Sequence, residues 1–187
     1  MISDRKKLMH VLNLEKKAYI ENKKDYIKKV LSGNEKIDIW RFQKHLRKAE
    51  YYYNQKNKIF FPLYAYHIYR KNCIGKRIGI FACINTIDEG LIIYHSGEIV
   101  VSGLAKCGKN LKLHGNNCIG NKGLDGYAPI IGNNCDVGFG AVIIGDVVLG
   151  DDIKVGANAV VNKSFKNGVL VGVPAKEIRK WKKKLVL

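Results

Sequence analysis

No apolar run in this chain of 187 residues approaches the roughly 18 residues that a helix needs to cross a bilayer. The opening stretch also lacks the apolar core of a signal peptide, because charged and apolar side chains alternate through it. These two absences lead to the expectation of a cytoplasmic protein. Cysteine is present but unpatterned: Cys73, Cys83, Cys107, Cys118 and Cys135 form no C-x-x-C pair. They read as buried small hydrophobes, not as disulfide partners or metal ligands. Zinc-finger, RNP and helix-turn-helix patterns are missing as well, so no nucleic-acid partner is expected despite a net charge of +17. With 47% apolar residues, the composition excludes a disordered chain.

The charge is unevenly placed. Residues 1–72 hold 18 Lys and Arg against 7 Asp and Glu, whereas residues 173–187 hold 6 against 1. The body between them is nearly neutral, with 9 basic and 8 acidic residues. Basic ends of this kind suit an anionic membrane surface or an acidic glycan, which adds a membrane-peripheral alternative to the cytoplasmic expectation.

What fills the neutral body is a period of six. Ile131, Val137, Ile143, Leu149, Val155 and Val161 repeat without a miss. Four residues after each stands another small or apolar residue: Cys135, Ala141, Val147, Ile153, Ala159 and Phe165. A helix repeats every 3.6 residues and a strand every two, so neither alone makes this pattern. Short strands joined by tight turns and wound into a coil do. The register runs back irregularly through Ile119, Leu113, Cys107, Val101 and Ile80, and it fails at Asp125, which marks 121–129 as a protruding loop.

The predicted organisation is therefore a basic helical region at 1–72, a coil body at 73–173 that opens at Ile74-Gly75, and a capping segment at 174–187. In the first region, residues 1–31 read as one charged helix ended by Ser32-Gly33-Asn34, and about 37–54 as a second. An aromatic stretch follows at 59–71. Within the capping segment the basic tail EIRKWKKKLVL at 177–187 reads as a short amphipathic helix over the last coil, where an open end would leave unpaired strand edges.

Three blocks, GLIIYHSGEIVV at 90–101, KCGKNLKLHGNNCIGN at 106–121, and 129–165 running into VGVPAK at 171–176, resemble the left-handed β-helix acyltransferases of the serine-acetyltransferase-like branch. The resemblance implies a mainly β fold, a left-handed parallel β-helix with an N-terminal helical region. It implies a homotrimer with acetyl-CoA as acyl donor and no metal. His95 would be the general base of transfer to a hydroxyl, a role suited to imidazole, which titrates near neutral pH. The aspartate that orients this base in the family aligns with Ile80, leaving Asp88, Glu89 or Glu98 to replace it. Glu98 is the nearest in sequence and is taken as the second catalytic residue. His114, Tyr94, Asp125 and Tyr127 are the candidate acceptor contacts. Gly140, Ala141, Ala157, Asn158, Lys163, Pro174 and Lys176 match the family's donor-binding positions.

Departures from the serine enzymes bear on the acceptor. Tyr94 stands where an aspartate precedes the histidine, and Tyr127-Ala128 stand where an Arg-His pair precedes the proline. Losing both charges argues against a zwitterionic amino acid and for a sugar hydroxyl on a glycan or polysaccharide precursor, as in short members of exopolysaccharide and capsule pathways. A serine O-acetyltransferase of cysteine biosynthesis and a non-enzymatic β-helix binding protein remain the alternatives.

Overall fold

The computed structural model describes residues 1–55, 57–123 and 126–178. Four helices lead: α1 (Arg5–Lys16), α2 (Lys23–Leu31), α3 (Glu35–Tyr53) and α4 (Phe61–Ile78). Short strands then follow one another to the end of the described chain. None of these helices is long and apolar enough to cross a membrane.

The first thirty residues make two helices instead of one. Tyr19 and Ile20 turn into the core, at 2% and 5% exposure, and the Tyr19 hydroxyl accepts the Ile93 amide at 2.7 Å. Asn22 then caps the new helix by accepting from the Asp25 amide. Asn34 caps α3 in the same way, and its inward residues Ile39, Phe42, Gln43, Leu46, Arg47 and Glu50 follow helical spacing. Helix α4 begins at Phe61-Pro62, with proline in its first turn. It then runs through Cys73, Ile74 and Gly75, so the boundary expected at 73 lies at Gly79, which closes the helix with φ of 69°. Gly75 is a packing glycine: a side chain there would collide with the Ile80 carbonyl and the Phe42 ring.

From Ile80 the chain winds as a left-handed parallel β-helix with three faces of five, three and six strands. Each coil stacks in parallel on the next; Asp136–Val137 lies on Lys154–Val155 and Val142–Ile143 on Val160–Val161, both at the expected 18-residue spacing. The sixfold residues Ile131 to Val161 are all buried, as are Cys135, Ala141, Val147, Ile153 and Ala159. The earlier coils are longer. Ile93 pairs with Leu113, and Leu113 with Val137 because the 121–129 excursion lies between them. Asn85, Asn110, Asn116, Asn134, Asp152 and Asn158 turn the corners with φ between 50° and 59°, a region that short polar side chains tolerate best after glycine.

Lys176–Ile178 forms an exposed strand that pairs antiparallel with Val169–Val171, and the helix expected over 177–187 falls, from 179 on, outside the described residues. An extended segment fits here because it satisfies the free edge of the last coil directly. All five cysteines are free, but only Cys107 and Cys135 are buried. Cys73 is exposed because it falls on the outer side of α4, beyond the sixfold pattern.

A buried ion cluster joins helices to coil. Arg47 donates to Glu15 at 2.7 Å, to Glu50 at 3.0 Å and to the carbonyls of Ile87 and Asp88. Glu15 also accepts the amides of Gly90 and Leu91, and Glu50 accepts that of Asn85. Burial works against the Arg47 charge, yet the Glu50 and Glu15 carboxylates outweigh it and hold the guanidinium above its ordinary range. Beside them Gln43 donates to the Leu91 carbonyl at 2.9 Å.

Candidate active site

His95 stands where the first coil turns a corner after Ile92–Ile93. The Tyr94 amide donates to the Leu113 carbonyl of the next coil at 2.9 Å, and Gly97, with φ of 130°, completes the turn. The imidazole is 65% exposed and its Nδ1 lies 2.9 Å from Oε1 of Glu35. The other carboxylate oxygen, Oε2, accepts the Ser96 amide at 2.9 Å and the Ser96 hydroxyl at 2.6 Å. Nδ1–H donated to a carboxylate leaves the lone pair on Nε2, which has no hydrogen-bond partner among the described residues.

Glu35 is the first residue of α3, directly after the Asn34 cap. A carboxylate is favoured at this end of a helix by the backbone dipole. Partial burial opposes its ionisation, but the hydrogen bonds from Ser96 and His95 prevail and hold the carboxyl below its ordinary value. Two ring contacts complete the corner. The His114 and Tyr94 rings lie 4.5 Å apart, and His114 Nε2 sits 2.7 Å from Asp136 Oδ1. Gly115 separates His95 from Phe139: a side chain there would stand 3.1 Å from the Phe139 ring and 3.5 Å from His95 Cβ.

The carboxylate expected beside His95 is thus a different one. Glu98, next to Gly97, turns away and lines a cavity of about 630 Å³ with Tyr69, Lys76 and Phe81. Asp88 accepts the Glu89 amide, and Glu89 pairs with Lys109 at 2.8 Å. His114 lies against Tyr94 and not His95, because this coil pairs Ile93 with Leu113 and so sets residues 20 apart side by side. Tyr127 is 62% exposed on the excursion, and Asp125 falls outside the described residues. Glu35, Ser96, Asp136 and Phe139 were absent from the expected site. The sequence marks Glu35 only as an acidic residue in a first helical turn, and nothing local connects it to a histidine 60 positions later.

The expected donor positions divide. Ala157, Asn158, Lys163, Pro174 and Lys176 are exposed on the later coils. Ala141 is fully buried, so neither its methyl nor its backbone is accessible in the single chain. Gly140 has φ of 71° and packs against the Asn158 side chain of the next coil, where a Cβ would collide. Its glycine is explained by corner stacking without a ligand. The ammonium of Lys163 lies 5.5 Å over the Phe165 ring, within the range of a cation–π contact. The exposed lysines suit phosphates, and the small residues leave an open backbone beside them.

No protein-family model matches the chain. It is 36% identical over 97 residues to the serine acetyltransferase of Helicobacter pylori strain 26695, a match covering 50% of this chain and 57% of that protein. It is 34% identical over 87 residues to WcaB of Escherichia coli strain K12, named for colanic acid biosynthesis as an acetyltransferase, over 46% of this chain and 54% of that one. These matches take in little more than half the length of the curated relatives. Among solved structures, serine acetyltransferase from Brucella abortus strain S19 superposes with a TM-score of 0.73 at 20% identity, covering 94% of this chain and 70% of that one. A serine acetyltransferase in complex with CoA superposes at 0.59 and 20% identity, over 75% of this chain and 57% of that one. The fold is that of the hexapeptide-repeat serine acetyltransferases, and the sequence similarity reaches both the serine and the colanic acid enzymes.

Proposed function

We propose that the chain, a left-handed β-helix of serine-acetyltransferase type, transfers acetyl from acetyl-CoA to a hydroxyl of a sugar or polysaccharide precursor, with His95 as general base. The observation that carries this reading is the His95 corner, where Nδ1 is held by a carboxylate at 2.9 Å and Nε2 is open. An alcohol attacks a thioester poorly until its proton is removed as the new bond forms. In the proposed step the acceptor oxygen bonds to the acetyl carbonyl carbon while its proton passes to Nε2. The tetrahedral oxyanion then collapses, the carbon–sulfur bond breaks, and the imidazolium returns the proton to the departing thiolate. An ester and free coenzyme A result. Lys163 and Lys176 are suited to the donor's phosphates, with Ala157, Asn158 and Pro174 along its path. Tyr94 and His114 offer the acceptor an aromatic ledge beside His95.

The similarity to enzymes named serine acetyltransferases supports serine as a second reading. Against it stands Tyr94 in place of an acid, while Glu35, the carboxylate beside the base, is already engaged by His95 and Ser96. Thiol release from acetyl-CoA, followed with L-serine in one series and sugars and nucleotide-sugars in another, separates the two. Turnover on a sugar and silence on serine is the expected result, with His95→Ala lowering turnover about 10²-fold or more. Rapid serine-dependent release would replace the acceptor, and absence of both turnover and coenzyme A binding would leave a binding protein.

The corner is open to solvent in the single chain, and the cavities of about 630 and 560 Å³ lie elsewhere. This supports a homotrimer in which a neighbouring coil closes the site, and light scattering should give three chains per particle. The basic helices also expose Ile59, Phe61 and Tyr69, each more than 60% accessible, a combination suited to an anionic membrane surface. Sedimentation with anionic but not neutral vesicles is the expected outcome.

A further inference from the structure

We infer that Glu35 is the positioning residue for His95, so that the base is oriented by the helical region and not by the coil that carries it. The inference rests on the transferase reading and adds to it the group that fixes the working tautomer. Three observations converge. Glu35 Oε1 takes the Nδ1 side of the ring at 2.9 Å, which reserves Nε2 for the acceptor proton. Its other oxygen is pinned by two bonds from Ser96, at 2.9 and 2.6 Å, so the carboxylate is fixed by the residue next to the base. Helix α3 is itself fixed to this coil through Gln43 and Arg47, which sets the Glu35 backbone relative to His95.

The other acids near the corner are engaged elsewhere, as Glu89 is with Lys109 and Asp88 with a backbone amide. Ile80, with which the family's orienting aspartate aligns, is 4% exposed, faces the core and pairs with Ile99, so that position offers no carboxylate. A negative charge at Glu35 does two things for the proposed step. It selects the Nδ1–H tautomer, and it stabilises the imidazolium that forms when Nε2 accepts the proton. Glu35 touches neither substrate nor donor in this arrangement and acts through the histidine.

The test uses the full-length protein and three variants: Glu35→Gln, Glu35→Asp and His95→Ala. Two-bond proton–nitrogen spectra, with the His95 ring identified by its loss in His95→Ala, report the tautomer without any acceptor. The wild type should show a protonated Nδ1 and an unprotonated Nε2 above neutral pH, and Glu35→Gln should lose that single-tautomer signature. On whichever acceptor the wild type turns over, Glu35→Gln should lower kcat roughly 100-fold, with the KM for acetyl-CoA within about threefold of wild type. Glu35→Asp keeps the charge and should recover part of the loss. Thermal melts of Glu35→Gln and Glu35→Asp serve to separate unfolding from mispositioning. An unchanged tautomer in Glu35→Gln, or unchanged kcat, overturns the inference while leaving the transferase reading standing. A wild type without turnover on any acceptor removes that reading, and the spectra still decide whether Glu35 sets the ring.

Discussion

His45 and His67 take no part in the coil, yet they are the most acid-sensitive pair in the helical region. Their Nδ1 atoms lie 2.8 Å apart, so one ring donates and the other accepts, and protonation of both rings breaks the bond. The His67 ring stacks on Tyr52 at 5.5 Å. Burial pushes His67 down to about 4, with the Lys48 and Lys44 charges adding to it. Burial likewise pushes His45 down to about 4, helped by His67, Arg70 and the same lysines. An ordinary histidine titrates at 6.5, so between these values the unfolded chain binds more protons than the folded one. This contribution is complete above about pH 6.5 and is lost as the pH falls toward 4. Glu35, held below its ordinary value, adds a loss of the same sign below pH 4.5. Melting temperatures should therefore drop through this window, and His67→Phe should flatten the slope. Arg47 is the other sensitive residue: Arg47→Met strands two buried carboxylates and should cost about 3–5 kcal/mol in a urea midpoint measurement. Replacing Glu15 and Glu50 as well should not restore stability, because both also satisfy coil amides.

At the level of elements, the sixfold run is legible because it repeats: each of Ile131 to Val161 occupies an equivalent buried site. The block around His95 marks it in the sequence as a candidate, whereas its contact with Glu35, across 60 residues, leaves no local trace. Element boundaries fail where one residue type has two uses. Gly75 reads as the opening of a coil, yet it is a helix residue chosen for contact with Phe42 and Ile80. Gly75→Ala should destabilise by roughly 1–3 kcal/mol, against the usual helix preference for alanine, as calorimetry would register. Gly79, only four positions on, ends the helix and makes the passage into the coil that was expected at Ile74-Gly75. Just before the basic tail, Lys176–Ile178 is extended because the free edge of Val169–Val171 beside it offers backbone hydrogen bonds.

Across the whole molecule, contacts pass from coil to coil, and the two ends of the stack differ. The first coil is fixed to the helices by buried charges, whereas the last, among the described residues, is covered by one strand whose residues are all exposed. Stacked repeats open from their weaker end because each unit holds only its neighbours. Amide exchange should therefore quicken steadily from the Ile92–Ile93 strand toward Val169–Val171. The same asymmetry gives the protein a mechanical direction. Pulled from its carboxyl end, it should unwind as a staircase of coil-sized releases, and the helices with the coil that bears His95 should be the last to yield.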